Sequence, residues 1–187
     1  LDRTHYTDLL THIALPGNVY ILEYPGYGRR QGSPSKHSFF AAADEAIAAI
    51  KSENDLQFVM VGESVGSGVA AYAARAARER LRAMLFITPF HSFSAVVWNR
   101  LPIFPTSLLL TENYENGSTL HGMHAPAFFV LAEHDEVIGL EEGQALFQSY
   151  TGQKQKFVVP AIGHNEIPFE KTADWVREFR WFLKRTE

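Results

Sequence analysis

The sequence predicts an α/β fold, a mostly parallel sheet with helices on both faces. Three observations lead there. Short, almost wholly apolar runs alternate with helix-length patterns along most of the chain, as expected for parallel strands buried on both faces. A Gly-x-Ser-x-Gly turn, Gly62-Glu63-Ser64-Val65-Gly66, joins one such run to the helical stretch after it. Asp135 and His164 each follow a later apolar run, and the carboxyl ends of strands are where open α/β sheets bind ligands.

Taken in order, residues 1–14 carry a helical stripe (Tyr6, Leu9, Leu10, Ile13) that Pro16-Gly17 stops. The apolar run 19–22 predicts a buried strand, and the Gly, Pro and basic residues of 25–35 a loop. Ser38 is the expected N-cap of a helix through Phe39, Phe40, Ala43, Ile47 and Ile50, broken at Asn54-Asp55. Residues 58–61 then form a strand, and Val69, Ala70, Ala73, Ala74 and Ala77 mark the helix after the turn. A strand over 83–87 closes at Thr88-Pro89.

Residues 90–126, with Trp98, Pro102, Pro105, three leucines at 108–110 and Tyr114, break the alternation. They predict short helices packed over one end of the sheet. The expected organisation is one domain over 1–187 with a short helical flap inserted at about 90–126. The rhythm resumes with a strand at 127–131, a loop at 132–138, a helix at 140–150 and a strand at 156–159. A loop at 160–168 and a helix at 172–184 complete it.

Bulk properties exclude several function classes. A chain of 187 residues, 46% hydrophobic and 20% charged, can bury one substantial core. A formal net charge of −4 without a Lys/Arg block argues against nucleic acid as a partner. There is no cysteine, so disulfides, thiolate metal sites and a cysteine nucleophile are impossible. No apolar run is long enough for a membrane span. A soluble chain, cytoplasmic in preference to other compartments, is expected.

The chemistry centres on Ser64. Between a strand and a helix, Gly-x-Ser-x-Gly reads as a nucleophile elbow, a turn tight enough to strain the serine backbone and project its Oγ from the sheet edge. Gly62 and Gly66 are then expected as steric necessities, and the helix start points unpaired N–H groups toward charge developing at Ser64. A serine hydroxyl needs a base, and the base a carboxylate to orient it.

Asp135 is the favoured carboxylate, with Glu133 and Glu136 as alternatives on the same loop. His164, preceded by Gly163, is the favoured base, and His91 and His134 compete because they also follow strands. A metal site from His121, His124 and His134 lacks a completing ligand, and no cofactor is called for. Phe90, Phe93, Trp98, Phe104 and Ile138 suit an acyl chain or aromatic group near the mouth, and equally suit plain core packing.

Four segments together, Gly62-Glu63-Ser64-Val65-Gly66, Glu23-Tyr24-Pro25-Gly26-Tyr27-Gly28, His134-Asp135-Glu136-Val137-Ile138 and Gly163-His164-Asn165, give the chain a resemblance to the α/β-hydrolase superfamily over nearly its whole length. Leu101-Pro102-Ile103-Phe104-Pro105, leading into Leu108-Leu109-Leu110, looks like the small members without a large cap: esterases, peptidase-like hydrolases and protein depalmitoylases. The resemblance implies Ser64 as nucleophile, His164 as general base then acid, Asp135 as its orienting carboxylate, and the Val65 N–H as one oxyanion donor.

It implies a serine hydrolase that cleaves a small-molecule carboxylic ester or thioester through an acyl-enzyme. An amidase or peptidase, or a non-catalytic binding protein of the same fold, are the alternatives. The sequence departs from the family where the second oxyanion donor should lie, because Leu1 already falls in a helical pattern. An N-terminally truncated α/β-hydrolase fold is therefore expected, with the Tyr27 hydroxyl as a substitute donor.

Overall fold

A computed structural model of the protein describes residues 18–53, 57–100 and 113–186. The helix expected over 1–14, the break at Asn54-Asp55 and the proline and leucine motif of 101–110 lie outside these residues. Helix α1 spans Lys36–Glu53, strand β1 Phe58–Glu63, helix α2 Val65–Ala76 and strand β2 Leu81–Ile87. Helices α3 (Phe93–Arg100) and α4 (Asn116–Thr119) follow. Strand β3 (Ala127–Ala132), helix α5 (Leu140–Ser149), strand β4 (Lys154–Val159) and helix α6 (Asp174–Arg185) complete the order.

The four strands pair in parallel in the order β1-β2-β3-β4. Their alternation places Ala83, Leu85, Ile87, Phe128 and Val130 on one face, against Trp175, Val176, Phe179 and Phe182 of α6. Met84, Phe86, Phe129 and Leu131 face the other way, against Ala70, Ala71 and Ala74 of α2 and Leu146 of α5. With a period of two and helices on both sides, every residue of β3 and all but Arg82 of β2 is apolar, which is why those runs look continuous in the sequence; β4 opens on Lys154, Gln155 and Lys156 and is apolar only from Phe157. A third cluster joins α1 and α2 through Phe39, Ile47, Val69 and Ala73 and reaches Phe90, Tyr114 and Ile138.

Two local expectations change. The run 19–22 forms no strand: it has no ladder partner among the described residues, and Val19 and Tyr20 are 46% and 47% exposed. An apolar run becomes a strand only where a neighbour takes its backbone hydrogen bonds, which hydropathy does not encode. The α1 cap is Ser35, not Ser38. Ser35 Oγ accepts the Ser38 N–H at 3.0 Å while Ser38 Oγ accepts the Ser35 N–H at 3.0 Å, a reciprocal capping box with serine in the third position.

Among the described residues, no helix is long and apolar enough to cross a membrane.

Candidate active site

The elbow begins as β1 ends. The Ser64 N–H donates to the Ile87 carbonyl at 2.9 Å, extending the β1–β2 ladder into the turn. Ser64 itself has φ 51°, a left-handed conformation that a non-glycine residue keeps only when its surroundings fix it. Gly62 is such a fixing point. A Cβ there would stand 2.5 Å from Ala70 Cβ, 2.6 Å from Gly66 O and 2.9 Å from Ser67 Cα, so only glycine lets α2 turn back this closely.

Gly66 differs from the expectation. A Cβ at Gly66 would meet only the Tyr24 hydroxyl, at 3.4 Å, which is ordinary contact. Close approach therefore demands one glycine of the turn and not the other. Val65 opens α2, where an N–H has no intrahelical acceptor.

Asp135 and His164 reach the elbow from the loops after β3 and β4. These loops are zipped together by continued strand-like bonds, Glu133 N–H to Val159 O at 3.0 Å and His134 N–H to Ile162 O at 2.9 Å. His164 Nε2 lies 2.9 Å from Ser64 Oγ, and His164 Nδ1 lies 2.8 Å from Asp135 Oδ2. Both His164 and Asp135 are buried.

The other Asp135 oxygen, Oδ1, accepts the N–H groups of Val137, Ile138 and Gly139 at 3.0, 2.8 and 3.3 Å. Burial pushes the Asp135 carboxyl upward. The His164 hydrogen bond, the backbone donors and the attraction of the imidazole outweigh it, leaving the group below its ordinary value. The carboxylate stays ionised at neutral pH with each oxygen engaged separately.

The competing residues fall elsewhere. Glu133 Oε2 accepts the Ala161 N–H at 2.7 Å and Glu136 Oε2 the His164 N–H at 3.1 Å, so both alternative carboxylates bind backbone rather than imidazole. His134 is exposed, 4.0 Å from Glu133. The His91 ring packs against Gly117, and the backbone N–H groups of His91 and Ser92 both donate to the buried Glu142 carboxylate. His121 and His124 are exposed, and no group of three or more possible metal ligands occurs among the described residues.

Tyr27 is 51% exposed, its ring 6.5 Å from Tyr24 and 6.0 Å from Phe39. The tyrosine that touches the elbow is Tyr24, stacked on Phe39 at 4.5 Å. Burial pushes its hydroxyl up to about 12, so it remains protonated. The signal for Tyr24 was its place as the last residue before the Pro25-Gly26 turn; a loop's direction beyond such a turn is not readable from residue type. Of the apolar residues expected at the mouth, Phe90 and Ile138 are core, Phe93 packs against the same cluster and Trp98 is 75% exposed. Phe104 lies outside the described residues.

Comparison with known proteins places this geometry in context. No family model matches the chain. It is 28% identical over 191 residues to an uncharacterized protein of Mycobacterium tuberculosis, covering 99% of this chain and 66% of that protein. It is 25% identical over 171 residues to alpha/beta hydrolase domain-containing protein aho-3 of Caenorhabditis elegans, covering 89% of this chain and 48% of that protein. The chain thus spans about half to two thirds of the length of these curated relatives. Among solved structures, a thermophilic esterase from Thermogutta terrifontis superposes with a TM-score of 0.72 at 19% identity, covering 100% of this chain and 86% of that one.

Proposed function

We propose that the chain, an α/β-hydrolase by its fold and its relatives, is a serine hydrolase that cleaves a carboxylic ester or thioester through an acyl-enzyme. The observation that carries this reading is the unbroken hydrogen-bond chain from Ser64 Oγ through both ring nitrogens of His164 to Asp135. Asp135 Oδ2 accepts the proton on Nδ1, which leaves the Nε2 lone pair facing the serine hydroxyl.

His164 takes the hydroxyl proton as Ser64 Oγ attacks the carbonyl carbon, and the tetrahedral oxyanion develops beside the Val65 N–H. The imidazolium then gives that proton to the leaving alcohol or thiol as the carbon–heteroatom bond breaks. Water, deprotonated by the same nitrogen, attacks the acyl-serine. The tetrahedral adduct expels Ser64, which recovers its proton, and the acid departs.

One domain carrying a short helical flap over about 90–126 is part of the proposal. Its support is the buried Asn116 side chain, which donates to Ser67 Oγ at 3.1 Å and to Phe90 O at 3.0 Å and so ties α4 to the elbow helix.

The test is labelling of the full-length protein with a fluorophosphonate, together with turnover of p-nitrophenyl esters, acyl thioesters and aminoacyl anilides. We expect labelling at Ser64, ester or thioester turnover well above anilide turnover, and a loss of at least about 10³-fold in Ser64→Ala. Full turnover in Ser64→Ala would refute the assignment.

A further inference from the structure

The segment from Val159 to Ile167 contains no helix or strand beyond its first residue, yet it must hold an imbedded imidazole to within a fraction of an ångström. Ala161 adds strain, with φ 56° at a non-glycine residue. Three carboxylates brace this loop through its backbone. Glu133 Oε2 accepts the Ala161 N–H at 2.7 Å, Glu166 Oε2 the Gly163 N–H at 2.6 Å, and Glu136 Oε2 the His164 N–H at 3.1 Å.

We propose that Glu136 is a positioning residue: by binding the His164 amide it fixes the backbone from which the imidazole is aimed at Ser64, with Glu133 and Glu166 as flanking struts. This rests on the serine hydrolase reading given above.

The geometry argues for it in three ways. Asp135 and Glu136 are consecutive, so one short stretch after β3 grips His164 at two points, ring and backbone. Neither grip alone fixes the residue, since a held ring can swing with its backbone and a held backbone leaves the ring free to rotate. Gly163 leaves room for the contact, because a Cβ there would stand 2.7 Å from Glu136 Oε2 and push that exposed side chain off the amide. Finally, hydrogen bonds from its own N–H and from that of His164 draw the Glu136 carboxyl below its ordinary value, so it is an ionised acceptor at neutral pH.

Glu136 is exposed, so water and salt screen its charge and the hydrogen bond is the operative contact. A glutamine keeps a carbonyl oxygen as acceptor; an alanine removes it. The test is kcat and KM of Glu136→Ala and Glu136→Gln per fluorophosphonate-titrated site, with hydrogen exchange of the His164 amide followed in parallel.

We expect Glu136→Ala to lose about 10- to 100-fold in kcat, the scale of a small catalytic misplacement, with KM within about twofold and faster amide exchange at His164. Glu136→Gln should recover kcat to within about threefold of wild type. Unchanged kcat in Glu136→Ala, or a glutamine variant as slow as alanine, would overturn the proposal while leaving the hydrolase reading intact. A wild-type protein that neither labels nor turns over substrate would overturn that reading instead. Unchanged exchange at His164 in Glu136→Ala would then reject the brace without reference to activity.

Discussion

Ser64 and His164 meet at 2.9 Å, but they are held by opposite means. The serine sits in a turn fixed by shape: a left-handed backbone, a glycine against which α2 closes to contact, and a shell of alanine and valine. The histidine sits on a loop fixed by hydrogen bonds. Carboxylates of Asp135, Glu133, Glu136 and Glu166 reach its ring or the backbone of its loop. A steric joint tolerates pH and salt but not an added methyl group. A hydrogen-bonded joint tolerates small changes of volume but weakens as its acceptors are protonated and fails when they are removed.

The sharpest way to break this contrast is Asp135→Asn, which changes no volume. With three N–H donors converging on Oδ1, an asparagine must turn its oxygen to them and its NH₂ to the ring. Nδ1 must then present a lone pair, so the ring proton sits on Nε2 and points at Ser64. Under the proposed mechanism turnover falls by roughly 10⁴-fold with the fold kept and some thermal stability lost; an active Asp135→Asn would break the comparison.

The steric side is sharpened by a pair of variants. Gly62→Ala, whose methyl overlaps three atoms, should destabilise by about 1–3 kcal/mol or more. Gly66→Ala, in open contact within a helix, should be neutral or stabilise by up to about 1 kcal/mol. Denaturant melts of both distinguish a jammed turn from one that merely favours glycine, and equal losses would show that the second glycine is also under compression.

The smallest effect is local and acid-dependent. Carboxyls held below their ordinary values in the folded state, as at Asp135 and Glu136, contribute stability that is complete above the unfolded range. It is lost as pH falls below about 4 and through the depressed values. Once exchange is corrected for its intrinsic slowing in acid, amide protection at Ile138, Gly139 and His164 should therefore fall on acidification before protection at Ser64 does. Simultaneous opening of both regions would mean that they are not held differently.

Much of this was legible in the sequence, for identifiable reasons. The elbow announced itself because its steric demand at Gly62 is written as residue type. Strands β2 and β3 were legible because burial on both faces forces continuous apolar runs, and β4 only from its apolar end, Phe157 to Val159. The order of Ser64, Asp135 and His164 followed from those strands. What was not legible depends on partners rather than composition. Residues 19–22 have the hydropathy of a strand but no ladder neighbour among the described residues. Ser35 and Ser38 are chemically identical, and only backbone direction decides which one caps α1. Glu133 and Glu136 were recognisable as candidate carboxylates, but their service to backbone amides becomes visible only once two loops, distant in sequence, lie side by side.

The bond from the Ser64 amide to Ile87 O also has a kinetic meaning. It makes the nucleophile's backbone a final rung of the sheet, so its thermal excursions should be those of the rigid core. The imidazole is carried instead by a loop outside the ladder, held by its carboxylate acceptors. In the hydrolysis proposed, the hydroxyl is then a stationary post, and a change that loosens the histidine loop should lower turnover without displacing the serine.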